Sequence, residues 1–207
     1  MVKLFNIIFF ILFFCWLMVN YGCNKLCTPN HFVFNATGCV IQPNKDSIRI
    51  GDTLFFSSSI PTLMTNLDDG KKIDYSAAVN FGSILGVAEP TGVNTSSGAI
   101  DYFSYIPQKG EIYTDPTLSP NIVKQTKYIE QNGNYILSFA IVPNRKGIFF
   151  ITIANMPDVV KDCARSAITL KFSSAIDSHL HYLKDIYYGG GQISALDSFH
   201  VYSFRVY

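Results

Sequence analysis

Alternation of apolar and polar side chains with a period of two dominates the chain beyond residue 30. In the run from Tyr135 to Val142, Tyr135, Leu137, Phe139 and Ile141 point one way, and Ile136, Ser138, Ala140 and Val142 point the other. That is the side-chain period of a β-strand. Asn132-Gly133 lies just before it, with Tyr128-Ile129 on the far side. Asn-Gly favours a type I′ turn, whose twist matches paired strands, so a hairpin is expected here. Ile148–Ile153 is an unbroken apolar run and reads as a central strand covered on both faces. Ala167–Phe172 alternates, with Ile168, Leu170 and Phe172 on one side. Ile48 and Ile50 share a face, Leu54 and Phe56 share a face, and Gly51-Asp52 lies between, which predicts two strand segments joined at a bend or bulge. His31–Asn35, Ala78–Ala88 (small, with Gly82 and Gly86, so closely approached by neighbours), Asp101–Ile106 and Phe199–Tyr207 read as further strands. Pro43–Asp46 and Asp68-Asp69-Gly70 read as turns. One short helix is expected near 178–188. Asp177 or Ser178 caps it, Leu180, Leu183 and Tyr187 recur at helical spacing, and Gly189-Gly190-Gly191 stops it. Many short strands separated by turn signals predict an all-β fold, a β-sandwich of Ig-like or related type.

The first 22 residues follow another pattern. Lys3 is the only charge before a nearly continuous apolar run from Leu4 to Val19, which ends at Gly22-Cys23. A basic start, an apolar stretch and a small residue before cysteine read as an export signal, with Cys23 cleaved free and lipidated. Asn20 and Tyr21 depart from the usual Leu and Ala or Ser at those places. Cys15 and Cys27 follow Phe14 and Leu26, which a lipoprotein peptidase does not accept. The rival is an uncleaved anchor, although Leu4–Val19 falls short of the roughly 20 apolar residues of a spanning helix. The expected organisation is a signal at 1–22, lipid attachment and tether at 23–30, and one domain at 31–207. The expected location is the cell envelope, with the protein anchored to the membrane on the periplasmic side or at the cell surface.

Removing Lys3 brings the 16 basic residues level with the 15 acidic ones. A balanced mature chain has no basic stripe for phosphates, so nucleic acid is not an expected partner. Once Cys15 leaves with the signal and Cys23 takes the lipid, Cys27, Cys39 and Cys163 remain in an oxidising compartment. Three thiols form one bridge and leave one over. If the first strand pairs antiparallel with the strand near Ala167–Phe172, Cys39–Cys163 is favoured. If the two run parallel, Cys27–Cys163 is favoured.

Several phrases give the chain a family likeness. They are the lipidated cysteine, Asp46-Ser47-Ile48-Arg49-Ile50-Gly51-Asp52-Thr53-Leu54, Lys72-Ile73-Asp74-Tyr75-Ser76, the turn Pro143-Asn144-Arg145-Lys146-Gly147-Ile148-Phe149, and the aromatic last strand. Together they resemble small Bacteroidota-type lipoproteins of unassigned function with an Ig-like, β-rich body. The resemblance implies anchoring, a β-rich domain and no established catalysis. It also implies Cys27 and Cys163 as the disulfide pair, with Cys39 free.

No Gly-x-Ser-x-Gly, His-Glu-x-x-His, phosphate loop or dinucleotide fingerprint is present. Two residues apart on a helix, His179 and His181 project about 200° apart, which does not suit a shared metal. Asp68-Asp69-Gly70 lacks the rest of a calcium loop and reads as a turn. Asp74 and Asp101 are a nominal glycosidase pair whose separation the sequence does not supply. No catalytic residue, cofactor or metal is therefore assigned. Tyr113, Tyr187 and Tyr188 lie near Gly- or Pro-containing connectors, where exposed rings stack on sugars, and they are the candidate ligand contacts. The function expected is a membrane-tethered, non-enzymatic binding module for a glycan or an envelope protein. A structural accessory subunit of an outer-membrane complex, or a hydrolase with an unrecognised site, are the alternatives.

Overall fold

The computed structural model describes residues 31–118, 122–154, 156–161, 164–173, 179–192 and 200–207. In chain order the strands are β1 (His31–Gln42), β2 (Ser47–Ile48), β3 (Leu54–Pro61), β4 (Leu63–Thr65), β5 (Lys72–Asp74), β6 (Gly82–Gly92), β7 (Thr95–Gly98), β8 (Phe103–Lys109) and β9 (Glu111–Tyr113). They continue as β10 (Val123–Lys127), β11 (Ile129–Gln131), β12 (Asn134–Pro143), β13 (Gly147–Ala154), β14 (Met156–Lys161), β15 (Ala164–Phe172) and β16 (Val201–Val206). A single helical turn, α1 (His181–Lys184), precedes the last strand.

Two main sheets face each other. The first has the order β11-β12-β3-β1-β15-β14, with β8 also on β12. The second has the order β2-β16-β13-β6-β10-β9, with β7 also on β6. The expected all-β sandwich is therefore what the chain forms. Inward residues of both sheets meet in one core. Phe56 and Phe139 stack at 4.7 Å in the first sheet, and Phe103 of that sheet meets Phe149 of the second edge-on at 5.0 Å. These are the offset and T-shaped geometries aromatic quadrupoles favour.

The sheets are joined along one side by the chain itself. β8 belongs to the first sheet and β9 to the second, with only Gly110 between them. β10 belongs to the second and β11 to the first, with only Tyr128 between them. Gly110 adopts φ +77, and a Cβ there would meet the Lys127 carbonyl oxygen at 2.5 Å. Glycine is required at this corner by both its backbone angle and its close approach.

The expected hairpin forms as read: β11 and β12 flank Asn132 and Gly133, both at positive φ. Tyr135, Leu137, Phe139 and Ile141 are buried. β13 is central in its sheet, between β16 and β6. The bend at Gly51-Asp52 does more than kink a strand, because β2 and β3 lie in different sheets.

Other expectations need correction. The helix expected over 178–188 is one turn, His181–Lys184, with no side-chain cap. The proposed caps Asp177 and Ser178 lie outside the described residues. The segment rests on one buried anchor, Leu183, and its backbone closes at once, with Tyr187 and Tyr188 N–H both on the Leu183 carbonyl. So short a helix has little stability of its own and forms only where packing holds it. The strand expected from Ala78 starts at Gly82, because Ala77 and Asn80 at positive φ carry the chain across between sheets. Of the two senses left open for β1 and β15 the parallel one forms, with Cys39 opposite Phe172. Among the described residues no helix is long and apolar enough to cross a membrane.

Candidate functional site

The outer face of the second sheet carries the most site-like geometry. Its cross-strand rows follow from the register: Tyr113 faces Gln125, which faces Ile84, which faces Ala154. In the next row Val123 faces Gly86, which faces Thr152. Gly82 and Gly86 leave this face without side chains at two points. A Cβ on Gly82 would collide with the Thr126 carbonyl oxygen, and one on Gly86 would lie 2.5 Å from Thr152 Oγ1. The close approach expected around these glycines is thus present, and Gly82 leaves a shallow floor in the cavity that Tyr113 lines.

Over that floor lies a cavity of about 370 Å³, lined by Asn80, Gly82, Ile84, Tyr113, Gln125 and Lys127 among others. Its size falls within the usual range of small-ligand pockets. Tyr113 is 42% exposed, so its ring is available. Its hydroxyl donates to Gln125 Oε1 at 2.7 Å, and Gln125 Nε2 donates to Asp115 Oδ2 at 2.8 Å. Asp115 Oδ1 accepts from the Thr117 hydroxyl and backbone N–H. Those Thr117 bonds, and then Gln125, hold the Asp115 carboxyl below the usual carboxylate range. The result is an ionised anchor fixing an amide that fixes a ring. Below it the buried Ser83 and Thr126 hydroxyls, 2.8 Å apart, tie β6 to β10.

Tyr187 and Tyr188 line a different cavity on the same face, about 330 Å³, with Phe150, Thr152 and Leu183. Tyr187 packs on Phe150 at 5.6 Å, and its carbonyl accepts from Asn94 N–H. The structure thus brings the three tyrosines to one face but not into one pocket. Tyr187 serves first to seat α1 on the sheet.

The remaining candidates stay apart. His179 Nδ1 lies 3.2 Å from the Ser203 carbonyl oxygen, its ring packs edge-on to Tyr202, and no group of three metal-ligating side chains forms among the described residues. Asp69 binds Asn66 Nδ2 and the Lys71 backbone N–H, the arrangement of a turn. Asp74 is held below the usual range by Ser76 N–H, then the Ser76 hydroxyl, with Lys161 adding a smaller effect. It lies on β5, whereas Asp101 lies in the turn before β8. Cys39 is buried, and burial pushes its thiol up to about 11 against the hydrogen bond with Ser58. Cys23, Cys27 and Cys163 lie outside the described residues. Gln125 and Asp115 were not foreseen. Asp-x-Thr signals a local turn, but nothing in the sequence joins it to Gln125.

No protein-family model matches the chain. No curated protein matches it either. Among solved structures, a chain from the crystal structure of an N-terminal interface mutant of a type II cohesin–X-dockerin complex from Acetivibrio cellulolyticus is similar. It has 9% identity and a TM-score of 0.29, over 66% of this chain and 95% of that one. A superposition this loose carries no statement about a site or a partner.

Proposed function

We propose that this protein is a membrane-tethered, non-enzymatic binding module of the cell envelope that takes a glycan on the outer face of its second sheet. The observation behind this reading is the Tyr113 ring, exposed beside a glycine floor and held by the chain through Gln125 to Asp115. A ring with an apolar face and a polar tip suits the mixed surface of a sugar. Amide, ammonium and backbone groups around it supply directional bonds. Because the ring is already fixed, little ordering cost remains on binding. Affinity electrophoresis of the protein through gels containing bacterial and plant polysaccharides tests this. One glycan class is expected to retard it, and Tyr113→Ala is expected to weaken that retardation about tenfold, or ~1.4 kcal/mol. Equal mobility of Tyr113→Ala and the parent in every retarding gel would refute the site.

The tether is proposed at Cys23, after cleavage behind Gly22. Cells fed an alkyne fatty acid are expected to label the protein, and Cys23→Ala is expected to remain unlabelled and unprocessed. Label that persists in Cys23→Ala would rule this attachment out. The disulfide is proposed as Cys27–Cys163, a reading supported by the parallel pairing of β1 with β15.

A second reading, an accessory subunit of an envelope complex, is favoured by a different surface. Phe55 and Ile106 flank Ala140 on the outer face of the first sheet, 44% and 55% exposed. This reading expects co-purification with a defined envelope protein, lost in Phe55→Ser.

A further inference from the structure

The largest cavity among those described on this face has no part in the site above. It holds about 560 Å³ and lies at the end of β13 and β16, between Glu89-Pro90 of β6, Lys146-Gly147, Arg205 and Ile186. Ile84 of the Tyr113 site and Pro90 are six residues apart along β6, about 20 Å at strand rise, and the segment carrying α1 lies between. The two cavities are therefore separate.

Its charges are uneven. Glu89 is its acidic side chain, and the Glu89 carboxylate lies 3.6 Å from Arg145, whose guanidinium sits over Tyr102 at 4.3 Å. Lys146 and Arg205 also line it, and neither has an acidic side chain within 4.0 Å among the described residues. The register sets Arg205 directly across from Ile148, and Ile186 adds a second apolar wall. Two unneutralised cations thus flank an apolar surface.

We propose that this cavity binds a small organic anion, its carboxylate held between Lys146 and Arg205 and its body against Ile148 and Ile186. An ammonium and a guanidinium converging on one oxyanion form charge-assisted hydrogen bonds, about twice as strong as neutral ones. Arg145 holds the Glu89 carboxylate in an ion pair, which lessens its repulsion of the ligand.

Isothermal titration of the full-length protein in nonionic detergent, with glucuronate, inorganic phosphate and glucose as separate probes, tests this. Saturable binding of glucuronate is expected, weakening as salt rises, and at least tenfold tighter than that of uncharged glucose. Lys146→Gln and Arg205→Gln are each expected to reduce affinity at least tenfold, while Arg205→Lys retains most of it. With the glycan site removed by Tyr113→Ala, the tenfold losses in Lys146→Gln and Arg205→Gln are expected to persist, which assigns the anion binding to this cavity. Absence of saturable glucuronate binding overturns the proposal, as does undiminished binding by both Gln variants. Phosphate binding as tightly as glucuronate would remove the role given to Ile148 and Ile186, and with it the organic character of the ligand.

Discussion

Phe149→Ala is expected to destabilise the domain by about 3–5 kcal/mol, the range for removing a fully buried aromatic ring. Phe149 is 0% exposed on β13 and meets Phe103 of the opposite sheet at 5.0 Å. It also faces Phe204, 0% exposed, across the ladder to β16, and Tyr102 packs near it. The ring therefore joins the two sheets. Truncation removes its transfer energy and leaves a void between strands whose ladder bonds resist collapse. The loss is a sizeable part of the roughly 5–15 kcal/mol that holds a domain of ordinary stability. Denaturant unfolding of the full-length protein in nonionic detergent measures it. Phe55→Ala serves as the control, because Phe55 is 44% exposed on the outer face of the first sheet and is expected to change stability by less than about 0.5 kcal/mol. A loss below about 1 kcal/mol for Phe149→Ala would mean that the sheets do not share this core.

The strands around Phe149 were legible because their information is local. Asn132-Gly133 dictates its own turn, and the alternation from Tyr135 to Val142 assigns a buried face that the structure reproduces. The apolar run Ile148–Ile153 marked a central strand, with one face on the core and Phe150 of the other under the α1 segment. What was not legible is non-local. The stretch Gln108-Lys109-Gly110-Glu111 shows a break in the pattern but not that β8 and β9 belong to opposite sheets, because a change of sheet is set by which strands lie beside the corner. The parallel sense of β1 and β15 depends on where the chain returns after most of the domain has folded. The helix expected near 178–188 shrinks to one turn for a related reason. Helical spacing of Leu180, Leu183 and Tyr187 is a necessary pattern, but only Leu183 reaches a buried place, and one anchor holds one turn.

The site divides in the same way. Exposed tyrosines beside connectors are visible in composition and position, and Tyr113 does line a cavity. Its supporting partners are not visible, because Gln125 reaches Tyr113 only through the antiparallel pairing of β9 with β10. Lys146 and Arg205 are ordinary surface cations in the sequence. The β13–β16 ladder brings them to one cavity. Glycine is informative in the sequence, since Gly82 lines the Tyr113 cavity and Gly86 meets Thr152 closely one row away.

Removing the proposed Cys27–Cys163 bridge is expected to produce the other large loss, roughly 4–5 kcal/mol. A bridge closing so long a loop removes much of the freedom of the unfolded chain. The parallel register of β1 and β15 speaks against the alternative partner. In the parallel ladder Cys39 faces Phe172, at the far end of β15 from Ala164. Eight residues of strand separate those ends, about 26 Å, whereas bridged Cα atoms lie within roughly 7 Å. Cys163 precedes Ala164 in the sequence, whereas Cys39 belongs to the opposite end of that ladder. His31 pairs with Arg165 at the near end of the same ladder, and Cys27 is four residues before His31. Peptide mapping without reduction is expected to recover Cys27 linked to Cys163, and Cys163→Ser and Cys27→Ser are expected to lose equal stability. Cys39, buried with its thiol pushed up to about 11, is expected to resist iodoacetamide at pH 8 until the protein unfolds. Rapid alkylation of native Cys39 would contradict its burial, and a mapped Cys39–Cys163 peptide would contradict the parallel register and with it the position of β15 beside β1.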